Sequence, residues 1–72
     1  MSKRIVILGA GESGTGAALL AKAKGYEVFV SDKGAMKDKY RDELVRNKIE
    51  FEEGGHSEER LLAASLVIKS PG

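Results

Sequence analysis

Residues Arg4 to Gly14 read RIVILGAGESG: an apolar strand, Ile5-Val6-Ile7-Leu8, that runs straight into glycines at positions 9, 11 and 14. The G-x-G-x-x-G spacing after a strand demands a turn of a particular kind. The first glycine permits the sharp exit from the strand. The second lets a phosphate approach the main chain without meeting a Cβ, and the third lets the next helix pack closely on the sheet. A helix that starts there points unpaired N–H groups and a partial positive charge at the turn, so an anion can be held without a lysine.

Residues 15–32 supply the rest of a βαβ unit. Ala17, Ala18, Leu19, Leu20, Ala21 and Ala23 form a helical run of small and apolar residues, closed by Lys24 and the C-cap glycine Gly25. Glu27-Val28-Phe29-Val30-Ser31-Asp32 then reads as a second strand, and Asp32 falls 18 residues beyond Gly14. A carboxylate near that spacing ends the second strand beside a bound nucleoside. A P-loop is excluded, because Thr15 stands where its lysine is required.

The remainder continues the alternation. Lys33 to Lys37 is a polar loop, and a helix is expected from about Asp38 with Tyr40, Leu44 and Val45 as its apolar stripe. Ile49-Glu50-Phe51-Glu52 alternates as an edge strand does, and Gly54-Gly55-His56 ends it. Ser57 is an N-cap candidate for a short helix through Leu61, Leu62, Ala63 and Ala64, with Glu58 and Glu59 in its first turn; Leu66-Val67-Ile68 is a fourth strand. The expected fold is α/β, a Rossmann-like half with a four-stranded parallel sheet in the order 3-2-1-4 and flanking helices. Its ligand crevice lies outside the carboxyl ends of strands 1 and 4, where the chain reverses direction.

Composition narrows the function. With 72 residues, 42% of them apolar and 32% charged, and a net charge of +1, the chain offers no basic patch for nucleic acid and no membrane-length apolar run. There is no cysteine for a disulfide or thiolate metal site, and Lys3-Arg4 before four aliphatics is too short for a signal peptide, so a cytoplasmic location is expected. Residues 1–72 are read as one domain and a piece of a longer chain, since a full dinucleotide fold needs two further strands. Read from the residues alone, an NAD(H)-binding module with Asp32 on the ribose hydroxyls is one candidate. Glu12 inside the turn and the half-length sheet count against it.

GAGESG, the segment GYEVFVSD ending at Asp32, EGGH at Glu53 to His56 and VIKSPG at the C-terminus together resemble the N-terminal domain of the Mur ligases, over essentially all 72 residues. Within that family the resemblance is nearest to the branch that adds D-glutamate to UDP-N-acetylmuramoyl-L-alanine in peptidoglycan synthesis. It implies that this domain holds the UDP portion of the precursor, with ATP and Mg²⁺ used by a central domain and a C-terminal domain completing the enzyme. Gly11, Glu12, Ser13 and Gly14 would line the diphosphate and uridine, mainly through backbone groups. Asp32 and Lys33 would lie beside the uracil, and Ser70, Pro71 and Gly72 would close the opposite wall. Lys33-Gly34 stands where some members carry a hydroxyl residue and an arginine, and Glu12 where others are apolar. No catalytic residue, metal ligand or cofactor of its own is expected in this stretch.

Simpler roles are open for several of these residues. Asp32 could be a solvated strand terminus, Ser13 a helix cap, and Ser70-Pro71-Gly72 a turn. His56, with no cysteine or second histidine and no evident partner, reads as a loop histidine. Ser70 has no base beside it and is no nucleophile.

Overall fold

The computed structural model describes residues 3–69. Along them run β1 (Arg4–Leu8), α1 (Glu12–Ala23), β2 (Glu27–Asp32), α2 (Asp38–Arg46), β3 (Glu50–Glu53), α3 (Glu58–Leu62) and β4 (Leu66–Lys69). The four strands form one sheet in the order β3-β2-β1-β4, and all three pairings are parallel. The fold and strand order expected from the alternation are those observed.

The register sorts the side chains. Ile5 pairs with Val28 and Leu66, and Ile7 with Val30 and Ile68, so these residues share one face. That face carries the core: Ile5, Ile7 and Val30 pack with Ala18 and Ala21 of α1, Leu44 of α2, and Met36 and Ile49 from the loops around α2. Alanines on α1 let the helix axis sit close to the strands, as the third glycine of the turn requires. Ile7, Val30 and Leu44 have no exposed surface.

The opposite face is thinly covered. α3 buries none of its residues; Leu62 is 86% exposed, and Val67, which lies on this face of the edge strand β4, is 43% exposed. Arg60 of α3 instead lays its guanidinium over the Phe29 ring, 4.3 Å from the centroid, and pairs with Glu50 at 2.7 Å. A cation over a ring face is an electrostatic contact that tolerates water, unlike a packed aliphatic.

Two details of the helices differ from expectation. Val45 is 61% exposed, so the stripe of α2 is Tyr40 and Leu44, with Val45 turned about 100° away on the helical wheel. Ser57 does occupy the N-cap of α3, but its side chain makes no capping bond. Its main-chain N–H donates to Glu52 Oε2 at 2.7 Å instead.

Candidate functional site

The glycine turn leaves β1 at Gly9, whose φ of 98° is closed to most side chains. Its first two amides are already committed: Gly9 N–H donates to Ser31 O at 2.8 Å, and Ala10 N–H donates to Asp32 Oδ2 at 2.8 Å. The turn is thereby bolted to the end of β2. Gly11 is the N-cap of α1, and the first bond of that helix runs from Thr15 N–H to Gly11 O at 2.9 Å. The amides of Glu12, Ser13 and Gly14 therefore precede the helical ladder. They are three of the four turn residues that the sequence singles out.

Ser13 is not the cap; it lies inside the first turn of α1, exposed, while Gly11 holds the N-cap position with no side-chain bond. Glu12 is exposed as well, and a carboxylate in a first helical turn is favoured by the dipole whether or not a ligand is present. Thr15 is buried, and its hydroxyl donates to Ala10 O at 3.2 Å.

Asp32 is more than a solvated strand end. One carboxylate oxygen accepts from Ala10 in the glycine turn, and the other accepts from Gly34 N–H at 2.9 Å in the next loop. A single side chain thus joins the two loops at the carboxyl ends of β1 and β2. Lys33, the next residue, is exposed. Ser70, Pro71 and Gly72 lie outside the described residues; the last described residue of β4, Lys69, is paired with Leu8 at the edge of the turn.

A second polar cluster is not legible in the sequence. Ser31, fully buried, has its hydroxyl 2.8 Å from Glu52 Oε2 and 3.3 Å from Gly55 O, and it also meets His56 Nδ1. His56 does lie in the loop after β3, and it has a partner there, Ser31, that the sequence does not show. Proton counting assigns its tautomer. Ser31 has one proton, and Glu52 and Gly55 O can only accept, so Nδ1 must donate to the Ser31 oxygen. In neutral His56 the lone pair is then on Nε2. The signal for this cluster is the strand register, which sets Ser31 beside Glu52 and Asp32 beside Glu53.

Glu53 organises a third group. It accepts from Met36 N–H at 2.8 Å and from Arg41 Nε and Nη2 at 3.1 and 2.9 Å, while Arg41 Nη1 reaches Asp38 at 2.8 Å. Hydrogen bonds from Arg41 and then Met36 hold the Glu53 carboxyl below the usual carboxylate range, and Glu53 in turn raises the Arg41 guanidinium. Among the described residues no cluster of three or more His, Cys, Asp or Glu could hold a metal ion, and no helix is long and apolar enough to cross a membrane. An open groove of about 480 Å³ lies at the other, amino end of the strands, between Arg4, Glu27, Phe29, Glu50 and Arg60.

A parallel sheet in the order 3-2-1-4, with a glycine turn feeding an open helix N-terminus after its first strand, defines a doubly wound, Rossmann-like α/β domain. Comparison with protein families narrows this. The chain belongs to the MurD N-terminal domain family, whose model matches residues 4–72. Among its relatives is the UDP-N-acetylmuramoylalanine--D-glutamate ligase of Bacteroides thetaiotaomicron, 67% identical over 70 residues that cover 97% of this chain. The ligases of the same name from Bacteroides fragilis and Cytophaga hutchinsonii are 61% and 58% identical over 97% and 100% of the chain. The chain spans 16% of the length of each of these relatives.

Proposed function

We propose that this domain binds the UDP portion of UDP-N-acetylmuramoyl-L-alanine within an ATP-dependent ligase that adds D-glutamate to the precursor in peptidoglycan synthesis. The relatives carry that ligase name, and the site supports a phosphate ligand on main-chain donors. The amides of Glu12, Ser13 and Gly14 receive the diphosphate. Asp32 and Lys33 stand at the uracil end, and Ser70, Pro71 and Gly72 close the far wall across the β1–β4 crevice. ATP and Mg²⁺ act in other domains of the full enzyme, in the cytoplasm, and this domain performs no chemical step. Its own task is to hold the precursor by the nucleotide and leave the lactoyl-alanine carboxylate free for activation elsewhere.

One observation carries the ligand reading. Gly11 has φ −76°, which any residue adopts, and a Cβ built there meets no atom within 4 Å. Neither backbone strain nor packing within the domain calls for glycine at that position. An approaching phosphate does, since a methyl group would stand where its oxygens reach the amides.

Gly11→Ala is accordingly expected to fold as the wild type does and to bind at least tenfold more weakly. Heteronuclear NMR titrations with UDP-N-acetylmuramoyl-L-alanine and, in parallel, NADH test this. Shifts at Gly11 to Gly14 with the UDP compound alone support the reading. Shifts with NADH alone, or an unchanged affinity in Gly11→Ala, sink it.

A further inference from the structure

Loop 33–37 follows Asp32 directly and reads Lys33-Gly34-Ala35-Met36-Lys37, with Met36 its one large apolar residue. Both main-chain polar groups of Met36 are held. Its N–H donates to Glu53 Oε2 at 2.8 Å, and its carbonyl accepts from Arg41 Nη2 at 3.3 Å. The Arg41 fork closes on Glu53 through two further bonds, so one Arg–Glu pair grips a single peptide segment from both sides. The Met36 side chain, 5% exposed, anchors the same point in the core.

The other half of the loop is stitched to the chain beyond β3. Gly54 N–H donates to Gly34 O at 3.2 Å, and Gly55 N–H donates to Asp32 O at 3.4 Å. Glu53 is the residue paired with Asp32 across the β2–β3 ladder. The loop that begins at the nucleoside end of the site is therefore shaped by residues 41 and 53–55, none of which adjoins it in sequence.

We infer that Arg41 and Glu53 are positioning residues for nucleotide binding: they clamp loop 33–37 in the shape that meets the nucleoside, and neither bonds to the phosphate cradle at the glycine turn. This rests on the UDP reading of the site. The physical gain is preorganisation, because a loop already ordered in the free protein loses less freedom when a ligand arrives. Arg41 is suited to the task by its planar fork, which lysine lacks.

The test compares the wild type with Glu53→Gln and Arg41→Lys, each first shown by circular dichroism to be folded at the measuring temperature. Affinities for UDP and for inorganic pyrophosphate are measured by NMR titration. The clamp predicts that both variants lose about five- to tenfold in UDP affinity and less than twofold for pyrophosphate. It also predicts that UDP-induced shifts shrink at Lys33 and Gly34 but persist at Gly11 to Gly14. Equal losses for the two ligands would show a general loosening of the domain and overturn the clamp; so would unchanged UDP affinity. If one variant does not fold, the other decides alone. A wild-type chain that binds pyrophosphate but gains nothing from uridine overturns the nucleoside reading itself, a result distinct from failure of the clamp.

Discussion

Glu53 concentrates three hydrogen bonds on one carboxylate, and its ionisation links the ends of β3 and α2 to the loop before α2. Because its folded-state pKa is depressed, its contribution to stability is fully present above the ordinary glutamate pKa of about 4.3 and is lost as pH falls below it. Urea unfolding of wild type and Glu53→Gln should therefore give a stability difference that is level from neutral pH down to about pH 5 and shrinks on further acidification. A difference that grows in acid would contradict this assignment. His56 offers a second check at the same scale. Nitrogen chemical shifts of the neutral imidazole should show the proton on Nδ1, and Ser31→Ala should release that preference. The glycine turn and Asp32 can be found in the sequence because their spacing is local and stereotyped. Arg41, Glu53, Ser31 and His56 cannot, because their partners are brought together by strand register across 12 to 25 positions of chain.

At the level of elements, α1 and α2 end alike but with unequal residues. Gly25 N–H bonds Lys22 O and Tyr26 N–H bonds Ala21 O, a Schellman ending with glycine at φ 90°. After α2 the same pair of bonds runs from Lys48 to Val45 O and from Ile49 to Leu44 O, yet the left-handed position is Lys48, at φ 57°. Ile49 and Leu44, both buried, supply the apolar contact that accompanies this ending. Lys48→Gly should raise stability by about 0.5–1 kcal/mol, measured by urea unfolding, since glycine meets no Cβ penalty there. The four strands and three helices are legible because apolar runs and turn residues alternate along the chain. The backbone bond from Ser57 to Glu52 is not, since residue type does not show which neighbour is nearer.

For the molecule as a whole, burial is one-sided. The α1–α2 face of the sheet holds Ile7, Val30 and Leu44 with no exposed surface, while the α3 face buries Val6 of β1 and otherwise relies on an Arg60–Phe29 contact and ion pairs. A chain of this size has little stability to spare. Leu44→Ala, at about 2–5 kcal/mol, is expected to leave most molecules unfolded at room temperature, whereas Leu62→Ala should shift the urea midpoint hardly at all. The same economy bears on the turn after β1. Gly9 gives its amide to the main chain of β2 and Ala10 gives its amide to the Asp32 side chain, so the start of the turn is tied to the β1–β2 pairing. The Gly9 hydrogen should exchange with solvent only as fast as the sheet itself comes apart, at the slow, global rate and not the rapid rate of a surface loop. The place where an anion would be received is thus part of the cooperative folding unit: it is lost with the sheet and regained with it.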